Sequence, residues 1–509
     1  MAKTRITSID YRFFILTCML KIITTLGVIQ ILAVFFNVLR SKLLAVLLGP
    51  EGIGAISVVD QTAALVLQIS AVSIPFASVR FLSRAHSQGS DEFRHTYSGL
   101  LSALLAFTSI GALMGLAVVF FKPSLLGAEL SAYRNMLIPA LLSVPAMALH
   151  YFMAQVLAAA QQARLSGVFL LVIAIAQSLA ALIGTQFGGA LGYYWAILAS
   201  NYLLVIAVVL FLKRKFSLSI FNRESDLRRE IRRNPDIVSY TLIMFSISYT
   251  LPLSNIIARL AVLRHAGEAE TGLMQAAIAL AASLTLVLNP ANGMYLTPMM
   301  NRAGDAGQKI STALEFQRKL LLVMPVIAVP MVLFARFLIF LFYSPSFVEV
   351  SQFFYLFVIA QFFSLLAGVG QAVLIGVSDL IAYVIMVGLG QLSLGVVAWE
   401  LAPVWGIYGV AASYIVSNLA ILVLCNIRLT ARYGWSVPKT QWAMTVYGVL
   451  GLVLAGILFR HSPLSLSAVL LAAGCYLAYT IGLGLLFGRD EMRQILLLIP
   501  RFSAIKLSK

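Results

Sequence analysis

The chain has 509 residues, 61% of them hydrophobic and 11% charged, with a formal net charge of +17. Apolar runs of about 20 residues recur along nearly its whole length, which excludes an ordinary soluble domain and implies a polytopic membrane protein. The three cysteines, Cys18, Cys425 and Cys475, show neither CxxC nor Cys/His spacing, so no metal site, redox centre or cofactor is expected.

A basic cytoplasmic leader over 1–20, carrying Lys3, Arg5 and Arg12, precedes an apolar run too long for a cleavable signal peptide. Hydrophobic runs then predict six helices at 21–46, 53–79, 97–121, 134–161, 165–186 and 190–212, forming a first bundle over 21–212. A basic cytoplasmic connector occupies 213–236. A second bundle over 237–427 follows, with helices at 237–262, 270–300, 320–343, 350–376, 380–400 and 405–427. Two additional transmembrane helices, 441–459 and 463–487, lie within 428–487, and a basic cytoplasmic tail spans 488–509. The expected fold class is all-α, with about fourteen transmembrane helices.

The two bundles repeat one another. Lys42 to Ala85 can be laid over Ala258 to Ala303, about 216 positions on, with Leu44/Leu260, Val46/Val262, Pro75/Pro290 and Arg84/Arg302 in register across small gaps. The match continues where Gln177 to Gly192 and Gln391 to Gly406 span equal intervals, each followed two residues later by Tyr194 or Tyr408. Repeats with an even number of spans enter the membrane in the same sense, so these are parallel repeats, the architecture of a transporter that alternates access around a site between its halves.

Charge fixes the orientation. Of 36 Lys and Arg, about 28 fall in the loops on the side of the amino terminus and about 4 on the opposite side. Both termini are therefore expected in the cytoplasm, and the net charge reflects orientation and contact with membrane lipids, not nucleic-acid binding. There is no GxxxxGK[ST] phosphate loop, so energy must come from an ion gradient, the membrane potential or the substrate gradient. No catalytic residues are expected; a membrane glycan polymerase or ligase would need long extracytoplasmic loops, and the outer loops are short.

The stretch "LLAVLLGPEGIGAISVVDQ", with its Leu-Gly-Pro-Glu turn and Gly-rich second helix, resembles the opening of the polysaccharide-transporter family. "GALGYYWAILASNYLLVIAVVLFLKR" and "PVWGIYGVAASYIVSNLAILVLCNIRL" are similar to its sixth and twelfth helices. That family holds O-antigen and exopolysaccharide repeat-unit flippases, in a superfamily shared with multidrug and toxin extrusion (MATE) antiporters and lipid II flippases. The resemblance covers residues 20–430 and implies a MATE-like architecture. It also implies movement of a polyprenyl-pyrophosphate-linked oligosaccharide across a bacterial inner membrane, with polysaccharide polymerase and chain-length machinery as partners. A cation-coupled multidrug or metabolite antiporter is the alternative on the same scaffold.

A pyrophosphate crossing the bilayer calls for cationic and amide groups within the spans. Arg40, Lys42 and Asn37 form a polar patch near the end of the first helix, either facing a cavity or snorkelling outward. Arg40, nine residues before Gly49, also resembles a cavity Arg of the lipid II flippases. In the seventh helix Ser248, Pro252, Asn255 and Arg259 fall on one helical face with a proline kink, so Asn255 and Arg259 are candidate substrate contacts. Asp60 is the acid placed well within a span; it either binds a coupling ion or neutralises Arg40 or Lys42. Gln68 and Gln275 are further candidate substrate contacts on the second and eighth helices. Pro75 and Pro290, at matching places, are candidate gating kinks. His150 reads more readily as a packing residue than as a titrating one.

Overall fold

The structure, a computed structural model, describes residues 8–216, 236–291, 304–461 and 465–488 with isolated positions at 232, 296, 299 and 300. Most of the 213–236 connector, the tail from 489 and the side chain of Pro290 lie outside the described residues.

The described residues are helical throughout, without strands. The helices are α1 (Ser8–Ala71), α2 (Ile74–Gln88), α3 (Ser90–Phe121), α4 (Gly127–Ser131), α5 (Arg134–Leu142), α6 (Val144–Ala159), α7 (Ala163–Phe216) and α8 (Asp236–Ser248). They continue as α9 (Thr250–Ala291), α10 (Ala306–Leu333), α11 (Ala335–Phe342), α12 (Phe354–Gly376), α13 (Leu380–Trp405), α14 (Ile407–Tyr433), α15 (Lys439–Phe459) and α16 (Leu466–Phe487). Among the described residues 11 stretches are long and apolar enough to cross a membrane. Three of these, Phe35–Ala71, Arg164–Phe211 and Ile237–Leu286, have 37, 48 and 50 residues, more than a bilayer core of about 30 Å holds at about 1.5 Å per residue. Each is broken by glycine with non-helical backbone, at Gly49, at Gly188 and Gly189, and at Gly267. Counting the two sides of each break separately accommodates the fourteen spans expected.

The internal repeat recurs as backbone geometry. Left-handed φ values fall at Gly49 and Gly267 (65° and 92°), at Gln161 and Ser378 (59° and 60°), and at Gly189 and Gly406 (57° and 54°). The members of each pair are 217 or 218 positions apart. The last pair corrects the sequence register by three residues, since Gly406 answers to Gly189 and not to Gly192. Beyond each of these turns the helices close on glycine: a side chain at Gly192 would strike the backbone of Gly184, and one at Gly409 the backbone of Leu401.

By contacts the chain divides into two compact units, one of Met1–Leu48 with Val58–Pro252 and one of Gly49–Ser57 with Leu253–Lys509. In the first, α2 packs on α3, α6 and α8, and α7 packs on α5 and α6. Its core includes Leu82, Tyr97, Leu101, Leu104, Phe152 and Met153. Helix α8, which the sequence groups with the second bundle, joins this unit through Ile237 against Ala77 and Phe81, with Arg80 4.8 Å above the Tyr240 ring.

In the second unit, α12 and α13 pack on α14, and α15 packs on α10 and α12. Lipid offers no hydrophobic driving force, so close approach at small residues carries the packing. Gly448 accordingly meets Phe362, and Gly456 meets Tyr355. Helix α16 docks on α10 through Tyr476, whose hydroxyl donates to the Val326 carbonyl at 3.0 Å. That carbonyl lies four residues before Pro330, which has no N–H to return.

Two sequence expectations about proline meet the structure here. Pro75 does not kink a continuous second helix: the backbone turns left-handed at Val72 and Ser73, and Pro75 sits in the first turn of α2, where its missing N–H costs nothing. The seventh span is interrupted at Tyr249, between α8 and α9. Pro252 lacks the N–H that Ser248 O would accept and its ring crowds that carbonyl, so the proline kink expected between Ser248 and Arg259 falls here as a break between helices.

Candidate functional site

In the first unit, Asp60 lies on the arm of α1 beyond Gly49, and Tyr193 and Tyr194 lie on the arm of α7 beyond Gly189. The Tyr194 hydroxyl donates to Asp60 Oδ1 at 2.9 Å. Both tyrosines are buried, with perpendicular rings 4.9 Å apart, while the Asp60 side chain is exposed. A buried phenol therefore holds an accessible carboxylate in place.

Arg40 and Lys42 are half-buried. Asn37 is exposed and turned to its own helix, its amide donating to Ala33 O at 2.9 Å and its backbone carbonyl accepting from Ser41 Oγ at 3.0 Å. Gln68 is half-buried, two turns beyond Asp60. The neighbouring Gln61 donates to Pro252 O at 3.3 Å.

In the second unit a tighter cluster forms around Arg259, which is 5% exposed. Its Nη1 donates to Asn255 O at 3.1 Å, its Nη2 to Gln275 Oε1 at 2.6 Å, and its Nε has no partner. The Tyr414 hydroxyl of α14 donates to Asn255 Oδ1 at 2.5 Å. Ser254 Oγ, also buried, is likewise unpartnered. Among the described residues no carboxylate pairs with Arg259. The structure thus gathers three predicted residues, Asn255, Arg259 and Gln275, from the two arms of α9 on either side of Gly267. A buried guanidinium without a carboxylate partner has its strongest interaction with an anion.

Sequence reasoning did not select Tyr193, Tyr194 or Tyr414 as site residues. Tyr194 entered only as a marker of the repeat, and a hydroxyl reaching 134 positions to an acid has no local signature. His150 is buried in α6 with its Nε2 unpartnered, so its polar capacity is not filled as packing alone implies. No group of three or more His, Cys, Asp or Glu able to hold a metal occurs among the described residues.

No family model matches the sequence, and no curated protein matches it significantly. Solved structures do match. An inward-facing multidrug resistance MATE family transporter of the MOP superfamily is 16% identical, with a TM-score of 0.64 over 78% of this chain and 95% of that one. An outward-facing multidrug resistance MATE family transporter of the same superfamily is 16% identical, with a TM-score of 0.56 over 81% and 96%. A MOP superfamily transporter from Pyrococcus furiosus Vc1 (DSM3638), for which the reverse polarity of the binding pocket suggests a different function, is 16% identical, with a TM-score of 0.54 over 85% and 96%. The chain has a MATE-type transporter fold.

Proposed function

We propose that this multi-pass membrane protein is a flippase that moves polyprenyl-pyrophosphate-linked oligosaccharide repeat units across a bacterial inner membrane by alternating access. The observation that carries the reading is Arg259, a buried cation with amide and phenol neighbours and no carboxylate partner among the described residues. Burying a charge costs several kcal/mol unless it is paired, by the usual order of magnitude, and an anionic group on the substrate supplies the missing partner. Asn255, Gln275 and Tyr414 add the amide and hydroxyl groups that a phosphate or sugar accepts. The lipid tail stays in the bilayer.

A second reading, a cation-coupled multidrug or metabolite antiporter, is favoured by Asp60, whose exposed carboxylate suits an organic cation or a coupling ion, and by the multidrug transporters among the structural matches. Complementation separates the two. The flippase reading expects the wild-type gene to restore glycan export in a flippase-deficient strain and Arg259→Ala to fail at equal membrane abundance. Restored drug resistance without glycan export supports the antiporter instead.

A further inference from the structure

The turn that joins α6 to α7 and the turn that joins α12 to α13 share one backbone. In each, a residue with left-handed φ, Gln161 or Ser378, is followed by one whose N–H returns to the carbonyl five residues back. Gln162 reaches Leu157 O and Asp379 reaches Leu374 O, both at 2.9 Å. Their side chains differ. In the second unit Lys309 Nζ donates to Gly376 O at 2.9 Å, tying the first turn of α10 to this turn, and Asp379 supplies a carboxylate that Arg428 holds at 3.0 Å. That turn is closed by charges of its own.

In the first unit the places of Lys309 and Asp379 fall to Phe93 and Gln162, 216 and 217 positions earlier. Both line a cavity of about 470 Å³, within the range of about 300–1,000 Å³ usual for small-molecule sites. Its other polar walls are His86, Ser90, Arg94 and Gln161. Phe93 is buried and meets the His86 ring edge-on, with centroids 5.5 Å apart, which orients the imidazole. Arg94 Nη1 lies 3.9 Å from Asp91 Oδ1, too far for a hydrogen bond, and the Asp91 side chain is 86% exposed. An ion pair so exposed contributes little, so the guanidinium keeps its donors for a ligand.

We propose that this cavity binds a phosphate monoester, which ties the start of α3 to the α6–α7 turn as Lys309 ties α10 to the corresponding turn of the second unit. A guanidinium, an imidazole, a hydroxyl and two amides around one space are a donor set for phosphate oxygens, and Phe93 offers an apolar surface to the carbon skeleton that the phosphate esterifies. Where the second unit carries the acid Asp379, the first has the neutral Gln162, so its anion comes from outside the chain. Under the orientation expected from the charges the cavity opens to the cytoplasm, where the monoester belongs either to a soluble metabolite or to a phospholipid headgroup. The site shares no residue with the Arg259 cluster and does not depend on what the protein transports.

The test reconstitutes the purified full-length protein in phosphatidylcholine nanodiscs and follows its thermal unfolding midpoint. One arm adds glycerol 1-phosphate to the buffer, and the other adds phosphatidic acid to the bilayer. A saturable rise in the midpoint is expected in at least one arm, and the arm that responds names the source. Arg94→Gln should weaken the response about tenfold, and Gln162→Glu, which places an acid where the second unit has Asp379, should abolish it. Both side chains are exposed, so neither change disturbs the core. Arg259→Ala should leave the response intact. No rise in either arm, or a rise that both Arg94→Gln and Gln162→Glu retain, overturns the site. A rise lost in Arg259→Ala but kept in those two belongs to the Arg259 cluster and also overturns it.

Discussion

Arg259 donates to Gln275 Oε1 at 2.6 Å, tying together the two arms of α9 on either side of Gly267. The bond fixes the guanidinium, whose buried Nε has no hydrogen-bond partner. Arg259→Ala should therefore abolish export at near-normal membrane abundance. Arg259→Lys should restore only part of it, because a point charge lacks the planar fork. The loss corresponds to about 2–5 kcal/mol of ligand binding, and Gln275→Leu should show a smaller loss of the same kind. Export and abundance measured together check this; normal export by Arg259→Ala contradicts it.

Tyr194→Phe removes the hydroxyl that donates to Asp60 Oδ1 and leaves the acid in place. The expected effect is a loss of about 1 kcal/mol of orientation, seen as slower transport at unchanged abundance. Asp60→Asn tests the carboxylate itself. If Asp60 binds the coupling ion, transport by Asp60→Asn in vesicles becomes insensitive to an imposed ion gradient, whereas Tyr194→Phe stays sensitive.

The connection between α12 and α13 carries a separate stability prediction. Asp379, its side chain 9% exposed, accepts from Arg428 Nε and Nη2 at 3.0 Å each and from the Tyr433 hydroxyl at 3.2 Å. Arg432 approaches at 3.6 Å but is 57% exposed and adds little. Asp379→Ala strands a partly buried guanidinium and should lower stability by about 1–3 kcal/mol. Arg432→Ala should change it by less than about 0.5 kcal/mol. Thermal unfolding of the purified protein distinguishes them, and equal effects would contradict the assignment.

The repeat predicts paired outcomes. Gly192→Ala and Gly409→Ala place a methyl group against the Gly184 and Leu401 backbones, and both should reduce membrane abundance. Gly188→Ala meets no atom within 4 Å and has no left-handed φ to lose, so it should be tolerated. Abundance measured side by side decides it; a tolerated Gly192→Ala or Gly409→Ala means the helices adjust where the repeat holds them.

Much of this was legible along the chain. Apolar runs located the spans, and the pairing of Pro75 with Pro290 announced a repeat that reappears at Gly49 and Gly267. Its register drifted by three near Gly192, because glycine-rich hairpins match equally well at several offsets and only the backbone shows which glycine makes the turn. Arg259, Asn255 and Gln275, which the structure hydrogen-bonds to one another, were named as candidates because charge and amides are conspicuous within apolar helices. Tyr414 and Tyr194 were not, since a tyrosine in a membrane helix looks the same whether its hydroxyl faces lipid headgroups or reaches another helix. Pro252 was read as a kink in a cavity-lining face, and the span is interrupted at Tyr249, where Pro252 leaves the Ser248 carbonyl without its N–H.

The leaflet distribution of lipid-linked glycan, measured by metabolic labelling in cells depleted of this protein, tests the flippase reading most directly. The account predicts that labelled repeat units accumulate in the cytoplasmic leaflet, and that wild-type protein, but not Arg259→Ala, returns them to the outer leaflet. An unchanged distribution in depleted cells would contradict it.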